Sequence, residues 1–226
     1  MFKDFDGWKD WLPAVIVPLF AFFAFIVADH LMPGFTSDED GPLENMQAIT
    51  AFVAFGLGVC VLRAPRGAYP NWARVFFALG VIASLYIALE EISYGQRIFG
   101  WVTPEAWDAV NDQQETNLHN TSAWLDQKPR IVMELGVLVG GIIIPLLRRF
   151  KPSVLPARFD AIYPSSALFT TAMIAACLKL LDFVTGLVMP RGEGFIVERP
   201  SELQEIYLFY FILLYFLYMR KRYSAR

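Results

Sequence analysis

Six apolar runs dominate the chain, and each is close to the length of about 20 residues that a helix needs to cross a bilayer. Backbone groups find no water to bond with inside a bilayer, so runs of this kind must be helical. The sequence therefore predicts an all-α integral membrane protein, with residues 1–226 forming one bundle of six transmembrane helices. The predicted spans cover residues 12–32, 43–62, 72–92, 129–147, 165–189 and 202–219.

The composition agrees with this fold class and excludes one kind of partner. Hydrophobic residues make up 56% of the 226 residues, against about 45–50% in an ordinary soluble domain. The formal net charge is −3, so there is no basic field of the kind that binds nucleic acid, and we expect no such partner.

Basic loop residues predict the orientation. Clusters of arginine and lysine follow the second, fourth and sixth runs, which places all three clusters on one side of an alternating bundle. The positive-inside rule makes that side cytoplasmic, together with both termini. The members of these clusters are Arg63, Arg66, Arg74, Arg148, Arg149, Lys151, Arg158, Arg220, Lys221, Arg222 and Arg226.

The long loop after the third run contains a helix start. Thr103, Pro104 and Glu105 combine a capping residue, a first-turn proline and an acid at the positive end of the helix dipole. This pattern predicts an interfacial helix over residues 104–119 that lies across the outer ends of the bundle. A solvated loop is the alternative. We also expect Pro129 to open the fourth helix and Pro145 to kink it.

Each run carries a carboxylate in or at its outer half. Charged groups in spanning helices usually face the bundle interior, form pairs and mark function. Glu44 and Glu202 have a second explanation, because acids at helix N-termini are favoured by the dipole. Glu90 and Glu91 lie at a helix C-terminus, where the dipole disfavours them, and so point more strongly to a site. The acids are Asp29, Glu44, Glu90, Glu91, Glu134, Asp182, Glu202 and Glu205.

The histidines predict a metal site or a hydrogen-bonded structural role. Glu115 and His119 are four residues apart and would share one helical face. Together with Glu91 and His30 they offer ligands that suit zinc, manganese or iron. The alternative is a His119 that only satisfies its own hydrogen bonds. On the fifth run, Lys179 and Asp182 form either a structural ion pair or an extension of the outer site.

Several sequence blocks resemble a bacterial group of polytopic membrane proteins with no assigned activity. The blocks are Glu-Glu-Ile-Ser-Tyr-Gly-Gln-Arg at 90–97, Thr-Pro-Glu at 103–105, Asn-Leu-His-Asn at 117–120 and the acidic helix entry at 39–44. The resemblance implies a multi-pass protein of the bacterial inner (plasma) membrane. The architecture is also similar in outline to membrane ceramidase-like hydrolases, although the two histidines here cannot match the three of that superfamily.

Three function hypotheses follow. The first is a hydrolase or transferase, with or without a divalent metal, that acts on a membrane lipid or lipid-linked substrate. The second is a non-catalytic lipid-binding protein or accessory subunit, whose aromatic sixth helix presents a face to lipid or to a partner subunit. The third is an ion-coupled carrier. For the enzyme, the predicted catalytic residues are Glu90, Glu91, Arg97, Glu115 and His119, and the predicted substrate-binding residues are Glu44, Gln96, Asn117, Asn120, Glu134, Asp182, Glu202 and Glu205.

Overall fold

A computed structural model describes residues 8–32, 34–37, 41–108, 116–118, 123–189, 194 and 196–224. Within these ranges the chain is helical and contains no strand. The described part has six helices that are long and apolar enough to cross a membrane, which confirms the predicted all-α bundle. They are α1 (Leu12–Leu31), α2 (Pro42–Leu62), α3 (Asn71–Glu91), α4 (Lys128–Phe150), α5 (Ser166–Val188) and α6 (Pro200–Tyr223).

Three of these spans are composite. The first begins with a π-helical turn, Leu12–Ile16, and continues as an α-helix, Val17–Leu31. The fifth begins with a 3₁₀ turn, Ser166–Leu168, ahead of Phe169–Val188. The fourth takes in the helix Ala123–Val137 from Lys128 onward, a π-helical turn at Leu138–Ile143, and the helix Ile144–Phe150. The shorter helices are Trp8–Trp11, Ser93–Gly95, Gln96–Phe99, Glu105–Asp108, Pro152–Val154 and Ala157–Ile162.

The sixth helix forms the centre of the bundle. In α6, 61% of the most apolar window is buried, against 17–33% in the other five spans. It packs against α2 and α5, while α3 packs on α2, and α1 and the π-helical turn of α4 pack on α5. The helix α6 carries apolar and aromatic residues on all its faces, and these residues fill the core. The predicted lipid-facing or partner-facing surface on this helix stays a prediction.

A tyrosine of α6 supplies a hydrogen bond that a proline of α1 removes. The Leu12 carbonyl accepts the N–H of Val17 in the π-helical turn. In the same register the Pro13 carbonyl would meet residue 18, which is a proline and has no N–H. The Tyr210 hydroxyl donates to the Pro13 carbonyl instead, at 2.8 Å. Tertiary contact thus compensates a break in the helix that would be costly in a bilayer.

The two ends of the bundle differ in charge, and we name them accordingly. The acidic end holds Asp29, Glu44, Glu90 and Glu202. At the basic end, Arg148 and Arg222 both pair with Asp160, and the Arg222 Nη2 lies 2.6 Å from a carboxylate oxygen of Asp160. These contacts tie α4 and α6 to the connection between α4 and α5.

Two predicted boundaries in the long loop are wrong. The helix that becomes α4 begins at Ala123, so Pro129 lies inside it; hydropathy marks the bilayer and misses the polar turns before it. The loop helix starts at Glu105 as predicted but is described only to Asp108, and residues 116–118 are not helical. The N–H groups of Thr116 and Leu118 bond to side chains near the end of α3, which prevents a helix from running to residue 119.

Candidate functional site

Glu90 connects the end of α3 to the long loop. It is 4% exposed, and its Oε2 accepts the backbone N–H of Leu118 at 2.8 Å. The side chains of Tyr86 and Tyr94 also interact with this carboxylate. Burial and the neighbouring Glu90 charge raise the pKa of Tyr94 above its usual value. Glu90 therefore joins the end of α3 to the loop and positions it.

Gln96 and Asn117 belong to the same network. The Gln96 Oε1 accepts the N–H of Thr116 at 2.7 Å and also the Thr116 hydroxyl. Its Nε2 donates to the Thr103 hydroxyl at 2.8 Å. Asn117 is 1% exposed and donates to the Ser93 hydroxyl at 3.4 Å. The structure therefore brings together Glu90, Gln96 and Asn117 as the sequence predicts, and their hydrogen bonds join two chain segments.

An unusual backbone turn precedes this network. Ser93, Tyr94 and Gly95 have φ angles of 46°, 53° and 98°, all in the left-handed region. For residues other than glycine this conformation costs about 1–2 kcal/mol each. The contacts of Glu90, Gln96 and Asn117 hold the turn in place. Strain of this kind clusters at functional sites.

A cavity of about 1140 Å³ lies between α3 and α4, with α6 as its floor. Among the described residues, α3 and α4 make little direct contact. Lining residues Phe76, Val132 and Val139 are 45%, 71% and 45% exposed, so the cavity opens sideways toward the surroundings of the bundle. On α3 it extends from Glu91 to Phe76, about 22 Å at about 1.5 Å per residue. That length exceeds one half of a hydrocarbon core of about 30 Å.

The lining changes character along its length. The part toward the basic end is apolar and aromatic and includes Phe76, Phe211 and Phe216. Every charged lining residue in the described part of the chain lies at the acidic end. These residues are Glu44, Glu90, Glu91, Lys128, Arg130, Arg199, Glu202 and Glu205.

Arg130 organises the acidic end. Its Nη1 lies 2.7 Å from Glu205 and its Nε 3.5 Å from Glu134. Its Nη2 donates to the Ser201 carbonyl at 3.0 Å and to Gln204 at 3.2 Å. All three guanidinium nitrogens thus lie near protein oxygens. Glu134 also pairs with Lys179, at 2.9 Å, so the ion pairs link α4 to both α5 and α6.

Glu202 lies beside this network, but its carboxylate takes no part in the ion pairs of Arg130. It is partly buried, lines the cavity, and interacts electrostatically with Glu44, Arg130, Arg199 and Glu205. Its carboxylate forms no hydrogen bond or ion pair within the part of the chain that the structure describes, although its backbone carbonyl accepts from Gln47 at 3.0 Å. Two further carboxylates, Glu44 and Glu205, lie close by.

Other predicted residues lie away from the cavity. Asp29 accepts the Thr36 hydroxyl at 2.6 Å and the Glu198 N–H at 2.8 Å, and so connects two loops. His30 is exposed, and its Nδ1 donates to the Ile26 carbonyl at 2.8 Å. Asp182 is outside the cavity lining. Lys179 pairs with Glu134 of α4, so the predicted pairing within α5 is replaced by a contact between helices.

Two of the four predicted metal ligands lie outside the described residues. Glu115, His119 and Asn120 fall outside the described residues. Arg97 lies in the helix Gln96–Phe99, and its side chain is not described. Among described residues no group of three or more histidine, cysteine or acidic side chains is arranged to hold a metal ion. A site at Glu91, Glu115 and His119 stays a prediction.

Sequence reasoning missed the cationic and aromatic members of the site. Arg130, Lys128 and Arg199 line the cavity beside the predicted acids, as does Tyr86. The spacing of Arg130 and Glu134, four residues apart on a helix, is a signal that indicates the pair. Comparisons of the chain with protein-family models, curated proteins and solved structures found no match.

Proposed function

We propose that the protein binds a membrane lipid or lipid-linked molecule, with its apolar tail between α3 and α4 and its polar head at the acidic end. We propose further that it acts on that head as a hydrolase or transferase. The observation that carries the proposal is the cavity itself, which is longer than half of the hydrocarbon core and joins an apolar, aromatic part to a cluster of charged residues. Its sideways opening suits a ligand that enters from the bilayer.

The carboxylates at the head position support the catalytic part. Glu91, Glu202 and Glu205 line the cavity, and carboxyl groups near one another in a protein interior can serve as general acid and base. Glu90 also lines it, but its bond to Leu118 suits a positioning role. A divalent metal would take ligands from Glu91, Glu115 and His119 and would activate water for hydrolysis.

We place the protein in the bacterial plasma membrane with its basic end in the cytoplasm, in keeping with the positive-inside rule. The head site then faces outward. Lipid binding without catalysis is the alternative function and shares the same cavity. An ion-coupled carrier has less support, because the charged residues of the described lining lie at one end only.

A cavity-filling pair of variants tests the binding. Ala83 lines the cavity, whereas its neighbour Ile82 is 63% exposed and does not line it. We expect Ala83→Trp to reduce co-purified lipid, measured by native mass spectrometry, by at least about tenfold, equivalent to about 1.4 kcal/mol. Ile82→Trp should retain the wild-type amount. Equal retention in both variants would contradict the proposal.

A turnover assay separates the enzyme from the binding protein. Reconstituted wild-type protein would be incubated with a total lipid extract of its host membranes, and lipids would be compared by mass spectrometry before and after incubation. The enzyme predicts conversion of one lipid class, which Glu91→Gln or Glu202→Gln abolishes. Lipid retained without any conversion would favour the non-catalytic alternative.

A further inference from the structure

The charge of the cavity head indicates which class of lipid it takes. Five carboxylates and three cationic side chains line the acidic end of the cavity in the described part of the chain. From this balance, and resting on the proposed lipid-binding function, we infer that the ligand is a lipid whose head group carries an ammonium ion.

Arg130 is poorly placed to bind an anionic head. Both of its terminal guanidinium nitrogens already contact protein oxygens, with Glu205 at 2.7 Å and the Ser201 carbonyl at 3.0 Å. An anionic ligand would have to displace these contacts. Removing one partner from such an ion pair leaves an uncompensated charge, which is costly away from water.

Glu202, in contrast to Arg130, is well placed to bind a charged head group, and the charge it attracts is positive. Its carboxylate is desolvated by burial and lines the cavity, and within the described part of the chain it makes no hydrogen bond or ion pair. Glu205 and Glu44 add negative charge beside it, which Arg130 and Arg199 offset in part. Like charges held together in a low dielectric are unfavourable, and a cation placed among them relieves the repulsion. An ammonium group donates hydrogen bonds to several carboxylates at once.

The surroundings of these acids fit an organic cation. Tyr86 and Phe209 line the cavity, about one helical turn from Glu90 and Glu205 respectively. Aromatic faces attract ammonium groups, including quaternary ones. Lys128 and Arg199 are exposed at the rim, where the phosphate next to the amine of a zwitterionic phospholipid would meet them.

A lipid competition experiment tests this inference on the full-length protein. The detergent-purified chain would be offered equal amounts of phosphatidylethanolamine, its N-acetylated derivative and phosphatidylglycerol, all with the same acyl chains. Native mass spectrometry would measure retention. N-acetylation removes the positive charge and leaves the tail unchanged. We expect phosphatidylethanolamine to be retained at least about tenfold over both other lipids. Equal retention of all three would overturn the ammonium inference.

Charge variants locate the preference. Glu202→Gln should reduce the preference to less than about threefold, a loss of about 0.7 kcal/mol or more. Glu105→Gln removes an exposed acid outside the cavity lining and should retain the full preference. A full preference in Glu202→Gln would overturn the assignment. If that variant does not fold, the wild-type comparison with the N-acetylated lipid still decides.

Two further arms distinguish the sources of failure. Soluble phosphoethanolamine should not displace bound lipid, and displacement at equal concentration would identify a soluble amine as the ligand and overturn the lipid. If all three lipids are retained equally and Ala83→Trp still reduces their retention, only the ammonium inference is removed. No retention of any lipid would remove the proposed function as well.

Discussion

The Glu90 carboxylate and the Leu118 backbone are joined across 28 residues of sequence, with 2.8 Å between Oε2 and the nitrogen. The helix dipole disfavours an acid at the C-terminal end of α3, and this contact gives the Glu90 carboxylate a hydrogen-bond donor there. It also brings the turn at Ser93–Gly95 together with the loop segment 116–118. Glu90, one of the predicted catalytic residues, thus has a structural role that can be measured apart from any chemistry.

Glu90→Ala should lower stability by about 1–3 kcal/mol, the cost of leaving a buried donor without its acceptor. For a chain of this size each kcal/mol shifts the unfolding midpoint by about 2–4 °C. Thermal unfolding in detergent, with the exposed Glu105→Ala as control, measures the effect. Identical midpoints for both variants would show that the contact with Leu118 contributes nothing.

Arg130→Met should destabilise the bundle strongly, by about 3–5 kcal/mol, because it removes the guanidinium that pairs with the partly buried Glu205 and leaves Lys179 as the ion-pair partner of Glu134. The double variant Arg130→Met with Glu205→Leu removes both members of the shortest pair and should recover part of the loss. A double-mutant cycle on unfolding midpoints gives the coupling. Simple additivity would show that the 2.7 Å pair does not stabilise the protein.

Two glycines of α4 should respond in opposite ways to alanine. A Cβ on Gly141 would collide with Ala172 and lie 2.6 Å from Phe211, whereas one on Gly136 meets nothing within 4 Å. Gly141→Ala should therefore cost about 1–3 kcal/mol through overpacking. Gly136→Ala should be neutral or stabilising, since alanine favours the helix. Unfolding midpoints test both, and equal tolerance would mean that α4, α5 and α6 do not meet at Gly141.

Tyr69 should make stability sensitive to alkaline pH. Its hydroxyl donates to the Val61 carbonyl at 2.8 Å, and burial raises its pKa above 10.0 despite the nearby Arg74. The unfolded tyrosine ionises near pH 10 while the folded one stays neutral, so its stabilisation is complete below pH 10 and is lost as pH rises through the folded pKa.

A pH series of unfolding midpoints, from about pH 8 to about pH 11, would compare wild type with Tyr69→Phe. At neutral pH the variant should be less stable by about 1 kcal/mol, through its lost hydrogen bond. Above pH 10 the difference between the two proteins should shrink. A constant difference would show that Tyr69 does not titrate differently on unfolding.

Elemental analysis tests the metal-dependent form of the proposed enzyme. That form predicts a near-stoichiometric transition metal in purified wild-type protein and its loss in His119→Ala. His30→Ala is the matched control, because His30 is exposed and bonded to its own helix, and should keep the metal. If none of the three proteins contains the metal, the metal-dependent form of the enzyme is ruled out, and the carboxylates remain as its acid and base groups.

Some residues of the site can be predicted from the sequence, and others cannot. Glu90, Gln96 and Asn117 are correctly grouped, because a motif that is dense in polar residues must satisfy them somewhere near. Asp182 is grouped with the site by its position along α5, yet it does not line the cavity. Arg130 is missed although it contacts Glu134, Ser201, Gln204 and Glu205 at the acidic end. Hydropathy gives depth in the bilayer but not the direction in which a side chain points.

The sequence by itself determined the class of the protein and the number of its spans. Six apolar runs with polar connections must become six helices, since backbone groups cannot remain unpaired in a bilayer. Even the end of α3 at Glu91 differs by only one residue from the predicted end.

Only the tertiary structure decided which helices pair and where a cavity remains. The separation of α3 from α4, the central place of α6 and the pairing of Lys179 with Glu134 all depend on contacts between distant segments. Nearly every face of these helices is apolar, so periodicity cannot select the neighbours. The choice lies in close packing at positions such as Gly141 against Phe211, and in ion pairs that form only once the helices meet.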